Sequence, residues 1–333
     1  MGKFIENEKI NQTNFKIQSS YFSDQAKRDG IYKGKQRSFC LPVEYAEENL
    51  YFEIRDSAIE YFKHSGIKWH DGHNFKPSNH LCDSQVSCVN FLFPFFDKPE
   101  AMIELFLPIF PDIKEIIPME NLNQFISFEW IGKENYLNER VAVNSKRTRG
   151  ANFTSSDAAL MFENKNGERH IVLIEWKYTE SYSSYFLKIS KHGTDRTKIY
   201  YPLFNLNDCP INKSELPDFD ALFYEPFYQL MRHQFLAHEM EKAEELGAKS
   251  VSVLHISPSI NNDLGRITSP KLLGLGVSVT DVWKKILIES NKFKSIFTEK
   301  LFDPFPIDKF PELKSWWDYL KERYSWTDKL KKA

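Results

Sequence analysis

Residues 171–180 read "IVLIEWKYTE". Four consecutive aliphatic residues, Ile171 to Ile174, describe a strand buried on both faces, as in the parallel sheets of α/β proteins. The chain then runs directly into Glu175, Trp176 and Lys177. Side chains alternate along a strand, so Glu175 and Lys177 project to one face and Trp176 to the other.

The preceding segments supply partners for this strand. "DAALMFEN" (157–164) reads as a strand, and "NKNG" (164–167) is an Asn/Gly cluster of the kind that closes a β-hairpin. With the turn near Lys165 and Asn166, residues whose numbers sum to about 331 or 332 face one another, which sets Asp157 opposite Ile174 or Glu175. "QFISFEWI" (124–131) is a further strand, and in an antiparallel meander it brings Glu129 to the same edge.

Two carboxylates and an ammonium thus converge at one sheet edge. Adjacent buried acids repel unless a cation lies between them, and hard oxygen ligands with room for water suit Mg²⁺ or Mn²⁺. The loop "NSKRTRGANFTSSD" (144–157) returns to this edge carrying Lys146, Arg147 and Arg149, which are candidate phosphate contacts. The plainer alternatives are a cross-strand salt bridge for Asp157, Glu175 and Lys177, an exposed strand-end acid for Glu129, and a solvated loop for the three cations.

Outward from this core, 225–245 fits a long helix with Gly247 as its stop, and "SVSVLHISP" (250–258) another buried strand ended by Pro258. Helical patterns cover 43–64, 81–93 and 99–109, the last opened by Pro99. Residues 1–40 read as a polar, irregular arm with a basic cluster at Lys27, Arg28, Lys33, Lys35 and Arg37. Beyond 263, helices are expected at 279–290 and 311–324.

Composition sets the bounds. The 333 residues are 41% hydrophobic, 27% charged and 15% aromatic, which describes a folded chain with a large core. The net charge of −2 announces no nucleic-acid partner, so any such binding must come from a local patch. Cys40, Cys82, Cys88 and Cys209 form no CxxC pair and read as free thiols. With neither a signal-peptide pattern nor a long apolar run, a cytoplasmic location is expected. His70, His73, His80, Cys82 and Cys88 match no standard zinc spacing. Trp316-Trp317 and the Phe-rich runs read as core. No phosphate-binding Gly-rich loop or GxSxG elbow is present, which removes support for ATP-driven and serine-hydrolase functions.

Asp157 followed after 17 residues by Glu175-x-Lys177 resembles the PD-(D/E)XK signature of restriction-endonuclease-like nucleases. The words "NHLCDSQVSCVNFLFPF" (79–95), "RGANFTSSDAAL" (149–160), "IEWKYTESY" (174–182) and "EPFYQLMRHQFLA" (225–237) resemble a little-characterised bacterial branch of that superfamily classed as restriction endonucleases. The likeness runs over roughly residues 77–290. One departure is Ser156, which stands where the name-giving proline would be.

The resemblance implies an α/β fold with an αβββαβ core, a mixed central sheet, and helical extensions at both ends. The corresponding division is a helical N-terminal region (1–115), a nuclease core (116–262) and a C-terminal extension (263–333). It implies a Mg²⁺-dependent deoxyribonuclease in which Asp157, Glu175 and the Trp176 carbonyl hold the metal, with Glu129 a further candidate. Lys177 would assist the attacking water, and Gln229 and Arg232 would support the site or grip phosphate. Their plainer reading is as polar positions on an amphipathic helix. DNA is the expected substrate, RNA is compatible with the same chemistry, and many nucleases of this kind act as homodimers. The competing reading is a catalytically silent nuclease fold that binds nucleic acid or a protein partner.

Overall fold

The computed structural model describes residues 2–121, 123–139, 147–151 and 153–327. Its helices and strands, in chain order, are α1 (Lys3–Gln18), β1 (Gly30–Tyr32), β2 (Lys35–Arg37), α2 (Arg55–His64), α3 (Ser84–Leu92), α4 (Pro99–Phe106), β3 (Ile113–Ile117), β4 (Ile126–Trp130), β5 (Ser156–Asn164), β6 (Arg169–Trp176), α5 (Thr197–Phe204), α6 (Phe227–Lys242), β7 (Ala248–Ser257), α7 (Val279–Ile286), β8 (Phe293–Phe297), α8 (Thr298–Phe302) and α9 (Lys314–Arg323). Short 3₁₀ turns join several of them.

A six-stranded mixed sheet lies at the centre, in the order β3-β5-β6-β7-β8, with β4 also pairing β5. β4, β5 and β6 are antiparallel, whereas β7 and β8 run parallel to β6. The hairpin register follows the Asn-Gly turn: Ala158 faces Ile174, the partner numbers sum to 332, and the next pair outward is Asp157 with Glu175. Gly167, with φ of +80°, takes the left-handed position that a side chain would resist.

The unbroken aliphatic run of β6 is explained by two cores. Val172, Ile174 and Trp176 join Phe91, Phe162 and Trp316 on one face, while Ile171 and Leu173 join Met231, Phe235 and Trp283 on the other. Helices therefore cover both sides, and Glu175 and Lys177 fall on the α6 side.

Four expectations are corrected. Residues 1–40 are not an irregular arm, because α1 packs Phe4 and Phe15 into the core. Its buried face is otherwise polar, so no apolar period reveals it. The Tyr178 hydroxyl donates to Glu8 (2.6 Å), Gln12 donates to Tyr178 and to the Arg323 carbonyl (3.1 Å each), and Lys16 donates to the Arg28 and Cys40 carbonyls (3.0 and 3.1 Å).

Second, the single helix expected over 43–64 is broken before α2. The Asn49 carbonyl accepts from Arg323 and the Tyr51 N–H donates to Asn90, so side chains hold backbone groups a helix would need. Third and fourth, β3 and β8 are strands where helices or connections were expected, each five residues long at an edge of the sheet. The four cysteines are free and buried. Among the described residues no helix is long and apolar enough to cross a membrane.

Candidate active site

β5 and β6 deliver Asp157 and Glu175 as neighbours at one end of the hairpin, and the two strands are tied there by side chains as well as by the ladder. The Trp176 N–H donates to Asp157 Oδ2 (2.7 Å), and Ser156, in the place of the signature's proline, donates to the carbonyls of Ala158 and Ile174 (2.8 Å each). Trp176 points the other way, its ring against Phe91 (5.0 Å) and its Nε1 donating to Ser87 of α3 (3.3 Å). The acid-bearing edge is thus held rigidly from behind.

Glu129 arrives by an unusual route. Its φ of +50° is left-handed, rare for a non-glycine residue and commonly found where a site demands it. The turn switches the strand's alternation, so that Phe128 packs in one core and Trp130 in the other. The Glu129 carboxylate, in the same cavity as Asp157 and Glu175, accepts from Gln85 (2.5 Å) and Ser155 (2.6 Å).

These groups open into a cavity of about 780 Å³ whose walls also include Lys177, Gln229, Arg232 and His233. Lys177 pairs with Glu175 Oε1, and His233 Nδ1 stands 3.1 Å from Glu175 Oε2. His233 Nε2 meets the Ser155 carbonyl at 3.0 Å. Since a carbonyl only accepts, Nε2 carries the proton.

The electrostatics divide the roles. Burial, and then the Glu175 charge, push the Asp157 carboxyl well above its ordinary value. Burial would also raise Glu175, but His233 and Lys177 outweigh it and hold that carboxyl below its ordinary value. Burial opposes charge on Lys177 too, yet Glu175 and the surrounding acids keep its ammonium well above the usual lysine range. Glu129 is raised by burial and by Glu175. The cluster holds an anion, a cation and further acids that resist ionising.

A family model described as "Restriction Endonuclease associating with ARP" matches residues 10–325. The chain belongs to this restriction endonuclease family. No curated protein and no solved structure matches it.

In this family member the sequence-predicted residues fall into two groups. Asp157, Glu175, Lys177, Trp176, Glu129, Gln229 and Arg232 all line one cavity. Arg147 and Arg149 do not line it. Arg147 donates to the carbonyls of Ile131, Gly132 and Lys133, and Arg149 is shared among Glu120, the Tyr61 hydroxyl and the Phe128 carbonyl. Both guanidinium groups brace the loop rather than face solvent phosphate. Lys146 lies outside the described residues.

Sequence reasoning missed His233 and Glu139. Gln229 and His233 are four residues apart on α6, a spacing that puts both on one helix face, and this was the available signal. Glu139 is buried and accepts from Thr154 N–H and hydroxyl (2.6 Å each) and from the Tyr200 hydroxyl (2.7 Å), with Arg232 3.6 Å away. Arg232 in turn donates to Thr154 (2.8 Å).

Do these residues suit a divalent cation? Among the described residues, no three His, Cys, Asp or Glu side chains form a ready-made cage. A cation here would rest on the Asp157–Glu175 pair, the Trp176 carbonyl and water. That is the sparse oxygen set in which Mg²⁺ is ordinarily held. The unfavourable ionisation of Asp157 beside Glu175 is what such a charge would relieve. Gln229 Oε1, on the cavity wall, is buried without a hydrogen-bond partner among the described residues, which fits a site built around polar occupants.

Proposed function

We propose that the protein is a Mg²⁺-dependent deoxyribonuclease, with Mn²⁺ able to substitute, built on a restriction-endonuclease-like αβββαβ core. The observation that carries this reading is the Asp157–Glu175 pair at the end of a hairpin, with Lys177 on the same face and one acid resisting ionisation. Family membership supports it independently.

Asp157, Glu175 and the Trp176 carbonyl would hold the cation, whose chemistry is Lewis-acid activation of phosphate and water. Lys177, kept charged by Glu175, is placed to orient the attacking water and to offset negative charge as the phosphorus–oxygen bond breaks. Lys177 pairs with Glu175 Oε1, and His233 Nδ1 lies 3.1 Å from Oε2. Gln229 and Arg232 face the same space, where they can support the site or contact a phosphate.

The test is purified protein with Mg²⁺ or Mn²⁺ and mixed DNA substrates. Cleavage that survives in both Glu175→Ala and Lys177→Ala would falsify the mechanism. One observation favours a silent nuclease fold instead: both Glu175 oxygens already have cationic or imidazole neighbours. Calorimetric titration with Mn²⁺ or Ca²⁺ separates the two readings, because a silent fold shows no binding that depends on Asp157. We extend the proposal to the association with ARP that the family description names, which co-purification tests. A homodimer would bring two sites to the two strands of a duplex, and sedimentation measures whether one forms.

A further inference from the structure

With Arg147 and Arg149 committed to the protein's own carbonyls and acids, the acid-lined cavity needs another source of positive charge if a polyanion is to approach it. One segment supplies it. Between Ser181 and Tyr200 the chain carries Lys188, Lys191, Arg196 and Lys198 against a single acid, Asp195.

The segment is built as a small arm. Ile189 bridges Asp195, Ser190 N–H donates to the Thr194 carbonyl and Arg196 N–H to that of Lys188 (2.9 Å each), and Gly193 with φ of +81° makes the tip. Lys188 anchors the base on Asp220 (2.9 Å). Asp195 accepts from the Thr197 N–H (3.0 Å) and hydroxyl (2.6 Å) at the start of α5, so the arm's one acid is engaged locally.

The arm borders the cavity, since Ser190, Thr194 and Arg196 line it together with Asp157 and Glu175. Arg196 lies 5.0 Å over the Tyr228 ring while its Nη1 donates to the Leu187 carbonyl (2.6 Å), and Arg232 lies 5.3 Å over the same ring. Two guanidinium groups therefore bracket one aromatic residue at the cavity wall. Outward from them, Lys191 is exposed, and so are three large apolar side chains: Tyr185 at 60%, Phe186 at 40% and Ile189 at 48%. Exposed rings interleaved with cations suit a nucleic-acid strand, whose phosphates take the charge and whose bases take the rings.

Resting on the nuclease reading, we propose that the arm from Tyr185 to Arg196 is the substrate grip. Arg196 and Lys191 hold backbone phosphates next to the scissile one, and Tyr185 offers a stacking face to an unpaired base. The positive charge that sequence reading assigned to the 146–149 loop is supplied, for substrate, by this arm.

The test is binding of a labelled DNA duplex and of its single strand, measured by anisotropy in EDTA across a salt series. The double variant Lys191→Ala/Arg196→Ala is expected to bind roughly 10-fold more weakly at low salt. Its duplex salt slope should be shallower by about 1.8, at about 0.9 for each lost phosphate contact. Lys191→Ala alone, at an exposed position, should lose about half of that slope change. Tyr185→Ala should weaken single-strand binding on the order of 10-fold and duplex binding less. Mn²⁺ titration of each variant should match the wild type.

Wild-type affinity and slope in both lysine variants overturn the grip, and equal loss on both probes for Tyr185→Ala overturns the stacking contact. If the wild type cleaves DNA while the arm variants behave normally, the arm assignment falls and the nuclease reading stands. If the wild type neither binds nor cleaves either probe, both fall together.

Discussion

Replacing each acid of the pair by its amide should change stability in opposite directions. Asp157→Asn removes a carboxyl whose ionisation the fold opposes, through burial and then through Glu175. A raised acid contributes full stability below its ordinary value of 3.8 and loses it as pH climbs towards the raised one. At neutral pH the metal-free wild type therefore bears a cost that the asparagine variant does not. The gain expected for Asp157→Asn is about 1 kcal/mol, the usual size when a strained functional group is relaxed.

Glu175→Gln goes the other way. Glu175 lies below its ordinary value, so its contribution is present at neutral pH and lost on acidification. The side chains of Glu175 and Lys177 are 4% and 6% exposed, and neutralising one strands the other's charge in the interior. The cost should be about 3 kcal/mol, the low end for breaking a buried pair because glutamine can still accept a hydrogen bond. Urea denaturation in EDTA at neutral pH measures both variants. Mg²⁺ at about 100 times its Kd should then add about 2.7 kcal/mol to the wild type and none to Asp157→Asn. The advantage of Asp157→Asn should vanish below pH about 4, where the unfolded chain's carboxyl is protonated too and folding no longer carries the ionisation cost. A plain salt-bridge cluster makes a different forecast, in which both amides destabilise. If Asp157→Asn lowers stability as much as Glu175→Gln, the pair is structural and the cation-binding argument is refuted.

Arg149→Ala should cost about 3 kcal/mol in urea denaturation, since Glu120, the Tyr61 hydroxyl and the Phe128 carbonyl all lose their donor, while the salt slope of DNA binding stays at the wild-type value. A shallower slope would return Arg149 to the phosphate role. Arg323→Ala should cost about 4 kcal/mol and expose α1 to proteolysis, because this buried guanidinium donates to Gln12, to the Asn49 carbonyl, to Tyr319 and to the Leu81 carbonyl. Stability within about 0.5 kcal/mol of wild type, the ordinary effect of a surface change, would contradict that role. Ser278→Ala breaks the reciprocal cap with Asp281 at the start of α7 and should lower stability by about 1 kcal/mol in thermal denaturation, with cleavage unaffected.

The hairpin and its acids were legible because two local rules agree. An Asn/Gly turn sets register to within one residue, so counting puts Asp157 opposite Ile174 or Glu175, and the Ala158–Ile174 pair of the sheet selects Glu175. α1 was illegible for the converse reason. Its buried face is polar, and the contacts of Glu8 and Gln12 reach Tyr178 and Arg323, positions more than 150 residues distant that no local pattern reveals. The basic loop misled because a cluster of arginines states charge without stating partner. Arg147 and Arg149 fold back onto carbonyls of the β4 end, whereas Arg196, an unremarkable single cation in the sequence, lies on the cavity wall.

Several departures from ordinary folding rules meet around Glu175 and Lys177. Left-handed Glu129, the disfavoured ionisation of Asp157, and the unpartnered buried atoms of Gln229, Tyr182 and Glu225 all belong to the surroundings of Glu175 and Lys177. Each costs stability, and none is required to close the sheet, since β5 and β6 pair fully from Ala158 and Ile174 inward. The sheet's two apolar cores make that cost tolerable: Val172, Ile174 and Trp176 fix β6 on one side and Ile171 and Leu173 on the other. A strand anchored on both faces can carry at its end a group of charges that would not hold together alone, which is what a preorganised hydrolytic site requires.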